Sequence, residues 1–198
     1  MKRNILVTGV AGFIGSNLAD MLLKKNFNVI GIDNLSYGVL EQIPKGVNFY
    51  NKDIRSQDIH KLFTDIDCVF HLAAKNSLID CENNPSETVD INVNGTKNIF
   101  DAAQKQNVRK VIYAESSAVY EGSQNLPSNE SDTAPQSVYA KSKMATNVIA
   151  NDFVKSHGLI STGLRYFNVY GPKQDYRRTI PPVFSAFIIK LLQKKAPT

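Results

Sequence analysis

The order of apolar segments predicts an α/β fold, a doubly wound and mainly parallel sheet with helices on both faces. Two observations carry this prediction. Short β-rich apolar runs alternate with stretches of helical periodicity along most of the chain. Between the first run and the first helix stands a glycine loop, Thr8-Gly9-Val10-Ala11-Gly12-Phe13-Ile14-Gly15, where a strand hands over to a helix.

The elements follow in order. Asn4 to Thr8 is the first strand, and Phe13 to Lys25 repeats apolar residues at helical spacing through Phe13, Ile14, Leu18 and Leu22. Asn28 to Asp33 is the second strand, Val47 to Tyr50 the third and Asp67 to Leu72 the fourth. Pro85 to Gln106 reads as one long helix, Lys110 to Ala114 as the fifth strand, Gln136 to His157 as a second long helix and Leu159 to Arg165 as the sixth strand. Gly122 to Pro135 is polar, with Pro, Ser and Asn, and reads as a surface loop.

The chain has 198 residues, 42% hydrophobic and 21% charged, enough for one globular domain with a real core or slightly more than one. No apolar run approaches the roughly 18 residues of a membrane span. Ile5 to Val7 is too short for a signal-peptide core, so the expected location is the cytoplasm. Cys68 and Cys81 make neither a disulfide framework nor a metal quartet, and His60, His71 and His157 have no ligand spacing, so no metal is expected. Cys68 reads as a small core residue and His71 as a satisfied core or strand-end residue. The net charge of +5 suits an anionic nucleotide ligand, but no dense basic run argues for nucleic acid.

In the glycine loop, Gly9, Gly12 and Gly15 let the chain turn tightly, approach a pyrophosphate and pack the helix on the sheet. The helix N-terminus offers free N–H groups and a positive dipole end to the phosphates. Asp33 ends the second strand, 18 residues after Gly15, where a carboxylate can accept both ribose hydroxyls and repel a 2′-phosphate. No Arg or Lys follows until Lys45, so NAD is favoured over NADP.

Tyr139-Ala140-Lys141-Ser142-Lys143 places a phenol and an ammonium four residues apart, on one helix face. The ammonium favours the phenolate. Moving the phenol from about 10 to neutrality takes about 3 units, roughly 4 kcal/mol. The same spacing also occurs on solvated helix faces, so the pair gains meaning only from its surroundings.

Those surroundings resemble the extended short-chain dehydrogenase/reductase family, in its nucleotide-sugar epimerase and dehydratase branch, closest to the UDP-sugar 4-epimerases. The resemblance runs from the first strand to about Thr198. It rests on the G-x-x-G-x-x-G loop, Asp33-Asn34-Leu35-Ser36, Asp53-Ile54, His71-Leu72-Ala73-Ala74, Asn92-Val93-Asn94-Gly95-Thr96, Ser116-Ser117-Ala118-Val119-Tyr120, Tyr139-x-x-x-Lys143 and Arg165-Tyr166-Phe167-Asn168-Val169-Tyr170-Gly171-Pro172. It implies a Rossmann-type fold, residues 1–178 forming the NAD-binding domain and 179–198 beginning a substrate lobe that is largely absent.

The resemblance also implies a role for each residue. Tyr139 is the general base for a sugar hydroxyl, Lys143 holds the nicotinamide ribose and keeps the tyrosine pKa down, and Ser116 relays the proton. Gly9, Gly12, Phe13, Ile14, Gly15, Asp33 and Asn34 bind the dinucleotide, together with Ala73, Ala74 and Tyr166. Asp53 and Ile54 flank the adenine. Lys75 touches the cofactor or is solvated. Asn92 fixes the loop on the nicotinamide side or is a structural helix residue. Ser117 and Asn168 contact the substrate, a UDP-sugar.

The two residues after Ser116 discriminate among the family's reactions. The 4,6-dehydratases carry an acidic pair there and the sugar-acid decarboxylases a Glu at the Ala118 position, whereas this chain has Ser117-Ala118. The resemblance therefore implies a redox-neutral UDP-sugar 4-epimerase. The alternatives are an NAD-binding module without turnover and a nucleotide-sugar dehydratase or reductase. Two departures stand out: Glu115, where the family carries serine, adds a charge near the site, and Glu121 precedes Gly122. Ile180 to Leu192 is strongly apolar and reads as the first element of the substrate lobe. A homodimer through the two long helices is implied, with Met144, Val148 and Ile149 available for packing.

Overall fold

The computed structural model describes residues 2–175, 177 and 181–196. Contacts divide the chain into two compact units, Met1–Phe167 and Asn168–Thr198. The packing thus divides after Phe167, and the expected boundary residue, 178, lies outside the described residues.

The first unit is built on six parallel strands: β1 (Asn4–Thr8), β2 (Asn28–Asp33), β3 (Asn48–Asn51), β4 (Cys68–His71), β5 (Lys110–Ser116) and β6 (Ile160–Tyr166). Their order across the sheet is β3-β2-β1-β4-β5-β6. The winding reverses between β1 and β4, so the carboxyl ends of those two strands open the crevice in which such sheets bind ligands. Period-two alternation splits β1 between two cores. Leu6 joins Phe63, Phe100 and Phe153 on one face, while Ile5 and Val7 join Ala19 and Leu22 of α1 (Phe13–Lys24) on the other. Burial on both faces is why this strand reads as a continuous apolar run.

The predicted helix from Pro85 to Gln106 is not uniform. It consists of α3 (Pro85–Val89), a π-helical turn (Asp90–Asn94) and α4 (Gly95–Lys105) in succession. A short α2 (Leu78–Asn83), which the sequence reading lacks, precedes it, capped by Ser77. The second long helix, α5 (Val138–His157), starts later than predicted. Ser137 is its N-cap, taking the Ala140 N–H on its hydroxyl at 3.1 Å, and Gly158 ends it at φ +67°. Cys68 is half-buried, so the fully buried thiol is that of Cys81. No described helix is long and apolar enough to cross a membrane.

His71, at the tip of β4, is buried between two threonines. Its Nδ1 lies 2.8 Å from Thr8 Oγ1 and its Nε2 lies 2.9 Å from Thr96 Oγ1. The Thr96 hydroxyl donates to the Asn92 carbonyl at 2.6 Å, so its oxygen is left to accept from an Nε2–H tautomer. Burial, with help from the Lys143 charge, pushes the imidazole down to about 3. The unfolded chain therefore binds a proton below about 6.5 that the folded chain refuses, and stability falls as pH drops through that window. From pH 7 to pH 5 the expected loss is about 2 kcal/mol. Urea unfolding at the two pH values, repeated on His71→Gln, checks this; the variant should lose that part of the pH dependence.

The second unit holds α6 (Val183–Leu192), while Ile180, the start of the predicted apolar segment, lies outside the described residues. Tyr170 stacks on Phe184 with ring centroids 4.3 Å apart. Phe187, Ile188, Leu191 and Leu192 are exposed.

Candidate active site

Every strand of the first unit that matters for the site delivers its residue at a carboxyl end. After β1, Gly9 adopts φ +71°, and a Cβ there would stand 2.8 Å from the Ala73 nitrogen. The glycine loop is thus pressed against the loop leaving β4. Gly15 lies in the first turn of α1, where a Cβ would fall 2.0 Å from the Gly9 carbonyl oxygen. These two glycines bring helix and loop together. Gly12 differs: a Cβ there meets only the Gly9 oxygen, at 3.2 Å, and otherwise open space.

The N-terminus of α1 has no side-chain cap and no acidic residue in its first turn. Its leading N–H groups, on Phe13 and Ile14, have no partner within the helix by geometry. A pyrophosphate fits this cradle: bare at Gly12, rich in donors and at the positive dipole end.

Asp33 ends β2 beside the cradle. Its Oδ2 accepts the Ala11 N–H at 3.0 Å and its Oδ1 the Leu35 N–H at 2.8 Å. Burial raises its pKa, and these two N–H donors oppose the rise. The carboxylate therefore shapes the glycine loop, a duty that spacing did not reveal. Asn34 donates to Asp53 Oδ2 at 2.9 Å. Asp53 is also gripped by the Arg55 guanidinium, which holds it down at about 2. Ile54 is a core residue, packed beneath Gly95.

Beyond β4, the Thr8 hydroxyl accepts the N–H groups of Leu72 and Ala73, each at 3.2 Å. Ala73 and Ala74 are half-buried there. Lys75 is not solvated: it is 3% exposed and paired with Glu87. Asn92 is carried by the π turn and is buried. It accepts the Lys75 N–H at 2.8 Å and donates to the Lys75 carbonyl at 3.0 Å and to Ser142 Oγ at 2.9 Å. One side chain thereby ties the loop after β4 to the residue beside Lys143.

The pair on α5 meets the tip of β5. Lys143 is 5% exposed, and its Nζ donates to the Ala114 carbonyl at 3.0 Å and stands 6.0 Å from the Tyr139 ring centroid. Burial pushes its pKa down to about 8. At this burial the lysine is not the solvated partner of an ordinary exposed i,i+4 pair. Ser116 ends β5 as the cap of a 3₁₀ turn (Ser117–Tyr120), its Oγ accepting the Ala118 N–H at 3.2 Å. Tyr166 ends β6 in register with Ser116, and burial raises its phenol. Asn168 is exposed and belongs to the second unit.

Two features escaped sequence reading. The N-terminus of α5, beside Tyr139, is held by carboxylates from two other segments. Glu121 accepts Gln136 N–H at 3.2 Å and Ser137 N–H at 2.9 Å, and Glu82 accepts Val138 N–H at 2.7 Å. Glu115 turns inward instead of projecting a free charge into the site. It accepts from Tyr113 Oη at 2.9 Å, Asn147 Nδ2 at 2.8 Å and Arg165 Nε at 2.8 Å.

A doubly wound sheet with an open helix N-terminus after the first strand, an acid at the end of the second, and a helix that sets a tyrosine and a buried lysine against the fifth has the architecture of a dinucleotide-binding domain. The chain belongs to the NAD dependent epimerase/dehydratase family, whose pattern matches residues 5–198. It is similar to a UDP-N-acetylglucosamine 4-epimerase from Methanobrevibacter ruminantium M1, solved in complex with UDP-N-acetylmuramic acid. That match has a TM-score of 0.93 and 36% identity over 98% of this chain. It is also similar to the Thermus thermophilus UDP-glucose 4-epimerase solved with NAD (TM-score 0.89, 32% identity, 97% of this chain). The UDP-glucose 4-epimerase of Streptomyces lividans is 33% identical over 92% of this chain. The chain spans 64%, 63% and 57% of those three proteins' own lengths.

Proposed function

We propose that the protein is an NAD-dependent epimerase that inverts C4 of a UDP-sugar, with UDP-glucose/UDP-galactose or their N-acetyl forms as substrates. The observation that carries this reading is Tyr139 one turn from a buried Lys143, beside a strand tip whose next residues, Ser117 and Ala118, offer no acid. Glu115 supports it further, because its oxygens are engaged with Tyr113, Asn147 and Arg165 and are not offered to C5 or C6 of a sugar.

In this reading Tyr139 takes the proton from the sugar O4 and Ser116 hydrogen-bonds that hydroxyl. NAD supplies reversible hydride acceptance at C4 when bound. The 4-keto sugar turns over, and Tyr139 returns the proton after the opposite face is presented. Lys143 orients the cofactor ribose and keeps a positive charge near the phenol. Phe13, Ile14 and Gly15 face the pyrophosphate, Asp33 the adenosine ribose, and Asp53 and Asn34 the adenine side. Ser117 and Tyr166 complete the cofactor and sugar contacts of this unit.

An NMR time course on the full-length gene product, with each of these UDP-sugars and no added reductant, tests the proposal. Interconversion of the C4 epimers is expected. Absence of turnover on all of them, with net NADH formed from another nucleotide sugar, would falsify it.

The cytoplasm is the proposed location. A homodimer through the outer faces of α3, α4 and α5 is proposed as well. Val148 is exposed on such a face, whereas Ile149, expected to pack there, is occupied against the protein's own core.

A further inference from the structure

We propose that Glu115 is a positioning residue for the Tyr139–Lys143 pair: its buried carboxylate, anchored across the sheet by Arg165, holds the Lys143 ammonium cationic beneath the strand tip that presents Ser116. This rests on the epimerase reading above and adds to it a residue the family motif does not contain.

Tyr139, Lys143 and Asn147 succeed one another at four-residue spacing and form one row along α5. That row lies against β5. Lys143 reaches the Ala114 carbonyl at 3.0 Å, and one turn on, Asn147 donates to Glu115 Oε1 at 2.8 Å and to Tyr113 Oη at 3.3 Å. Glu115 therefore stands one turn from Lys143 on the same packed surface, and it is the residue immediately before Ser116. Its seat is built for it. On the neighbouring strand is Gly163, where a Cβ would fall 2.3 Å from Glu115 Oε1, so the bare backbone there leaves room for the carboxylate in this position. Arg165, the register partner of Glu115, closes the other oxygen at 2.8 Å. Arg165 is itself fixed by the Tyr120 hydroxyl and by the Glu130 carbonyl at 2.6 Å.

Arg165 is paired directly with the buried Glu115 carboxylate, while Lys143, one turn from Asn147, bonds the carbonyl of the preceding residue, Ala114. Among the described residues, His71 on β4, Cys81 on α2 and Tyr139 on its own helix also neighbour Lys143, and Tyr113 on β5 bonds Glu115 itself. Burial drives His71, Cys81 and Tyr113 towards their neutral forms. Glu115 is left as the anion that offsets the desolvation of Lys143, and it acts on the lysine in that sense.

The test needs no substrate. The lysine ε-carbons are labelled with ¹³C, the Lys143 signal is assigned by its loss in Lys143→Arg, and the signal is titrated by NMR in the wild type, Glu115→Gln and Arg165→Gln. Removing the anion should move the Lys143 titration down by about one pH unit or more, and removing the competing cation should move it up. A network that only braces the fold would leave the titration in place or move it the same way in both variants, and either result overturns the proposal. Should Glu115→Gln fail to fold, Arg165→Gln decides alone: an upward shift supports the proposal, and no shift or a downward one overturns it. The alkaline limb of kcat on the UDP-sugar should follow the NMR values. If the lysine moves as expected and the limb does not, the catalytic role given to Lys143 fails while the placement of its charge by Glu115 stands.

Discussion

Replacing Tyr139 with phenylalanine should lower kcat by about 10²–10⁴-fold and leave NAD bound. The size follows from what is removed. The ring stays, so the Lys143 ammonium keeps its place 6.0 Å from the ring centroid. The Lys143 bond to the Ala114 carbonyl involves no atom of the phenol. Only the hydroxyl proposed to carry the O4 proton is lost. An interaction made in the transition state alone lowers kcat and kcat/KM together, so KM should barely move. Rates on a UDP-sugar, with the NAD content of the purified variant measured by chromatography, give both halves of the result. A variant with wild-type turnover would remove Tyr139 from the mechanism. One with low turnover but without NAD would show that the phenol acts on cofactor binding instead.

The sheet was legible because its signal is local. Each strand alternates or runs apolar over a few residues, and the glycine loop falls between a strand and a helix, so β1, α1 and β2 lie within a residue or two of expectation. The π turn at Asp90–Asn94 was not legible, because a single turn is too short for its one-residue phase shift to stand out from the helical pattern on either side. α2 has too few residues for a period, and its Leu78 and Ile79 are exposed.

The same distinction separates the parts of the site. Tyr139, Lys143 and Asp33 announce themselves by spacing and position. Glu115 was read as a charge near the site because its partners stand elsewhere in sequence: Asn147 lies 32 residues away and Arg165 lies 50 away. The strand order makes the second of these readable in hindsight, since β5 and β6 are neighbours and the two residues are in register. Asn92 likewise reaches Ser142 across 50 residues, and no pattern along the chain encodes that bond. The burial of Lys75 is not legible either, because its partner Glu87 stands on α3, beyond the whole of α2.

Gly15→Ala and Gly12→Ala, a few residues apart, should fail in different ways. At Gly15 the added methyl would lie 2.0 Å from the Gly9 oxygen, 2.8 Å from the Gly9 carbonyl carbon and 3.0 Å from the Val10 Cα. All three are backbone atoms, so no rotamer change relieves the overlap. Helix α1 must move off the loop, and the loop is pinned in turn by Asp33 on Ala11 and by Ala73 against Gly9. Overpacking of a close-packed site costs about 1–3 kcal/mol, and a backbone clash belongs at the upper end or beyond. In a protein of this size, about 3 kcal/mol lowers Tm by about 6–12 °C. At Gly12 the methyl meets one atom at 3.2 Å, so the fold should persist with a small change in Tm. It would instead stand in the mouth of the cradle and hold a pyrophosphate away from the first N–H groups of α1. Thermal melts with and without NAD separate the two outcomes: Gly15→Ala should melt early in both conditions, whereas Gly12→Ala should melt near the wild type without NAD and lose the rise in Tm that bound ligand confers. Equal melting of both variants with full NAD stabilisation would mean that the phosphates do not approach the helix end through Gly12.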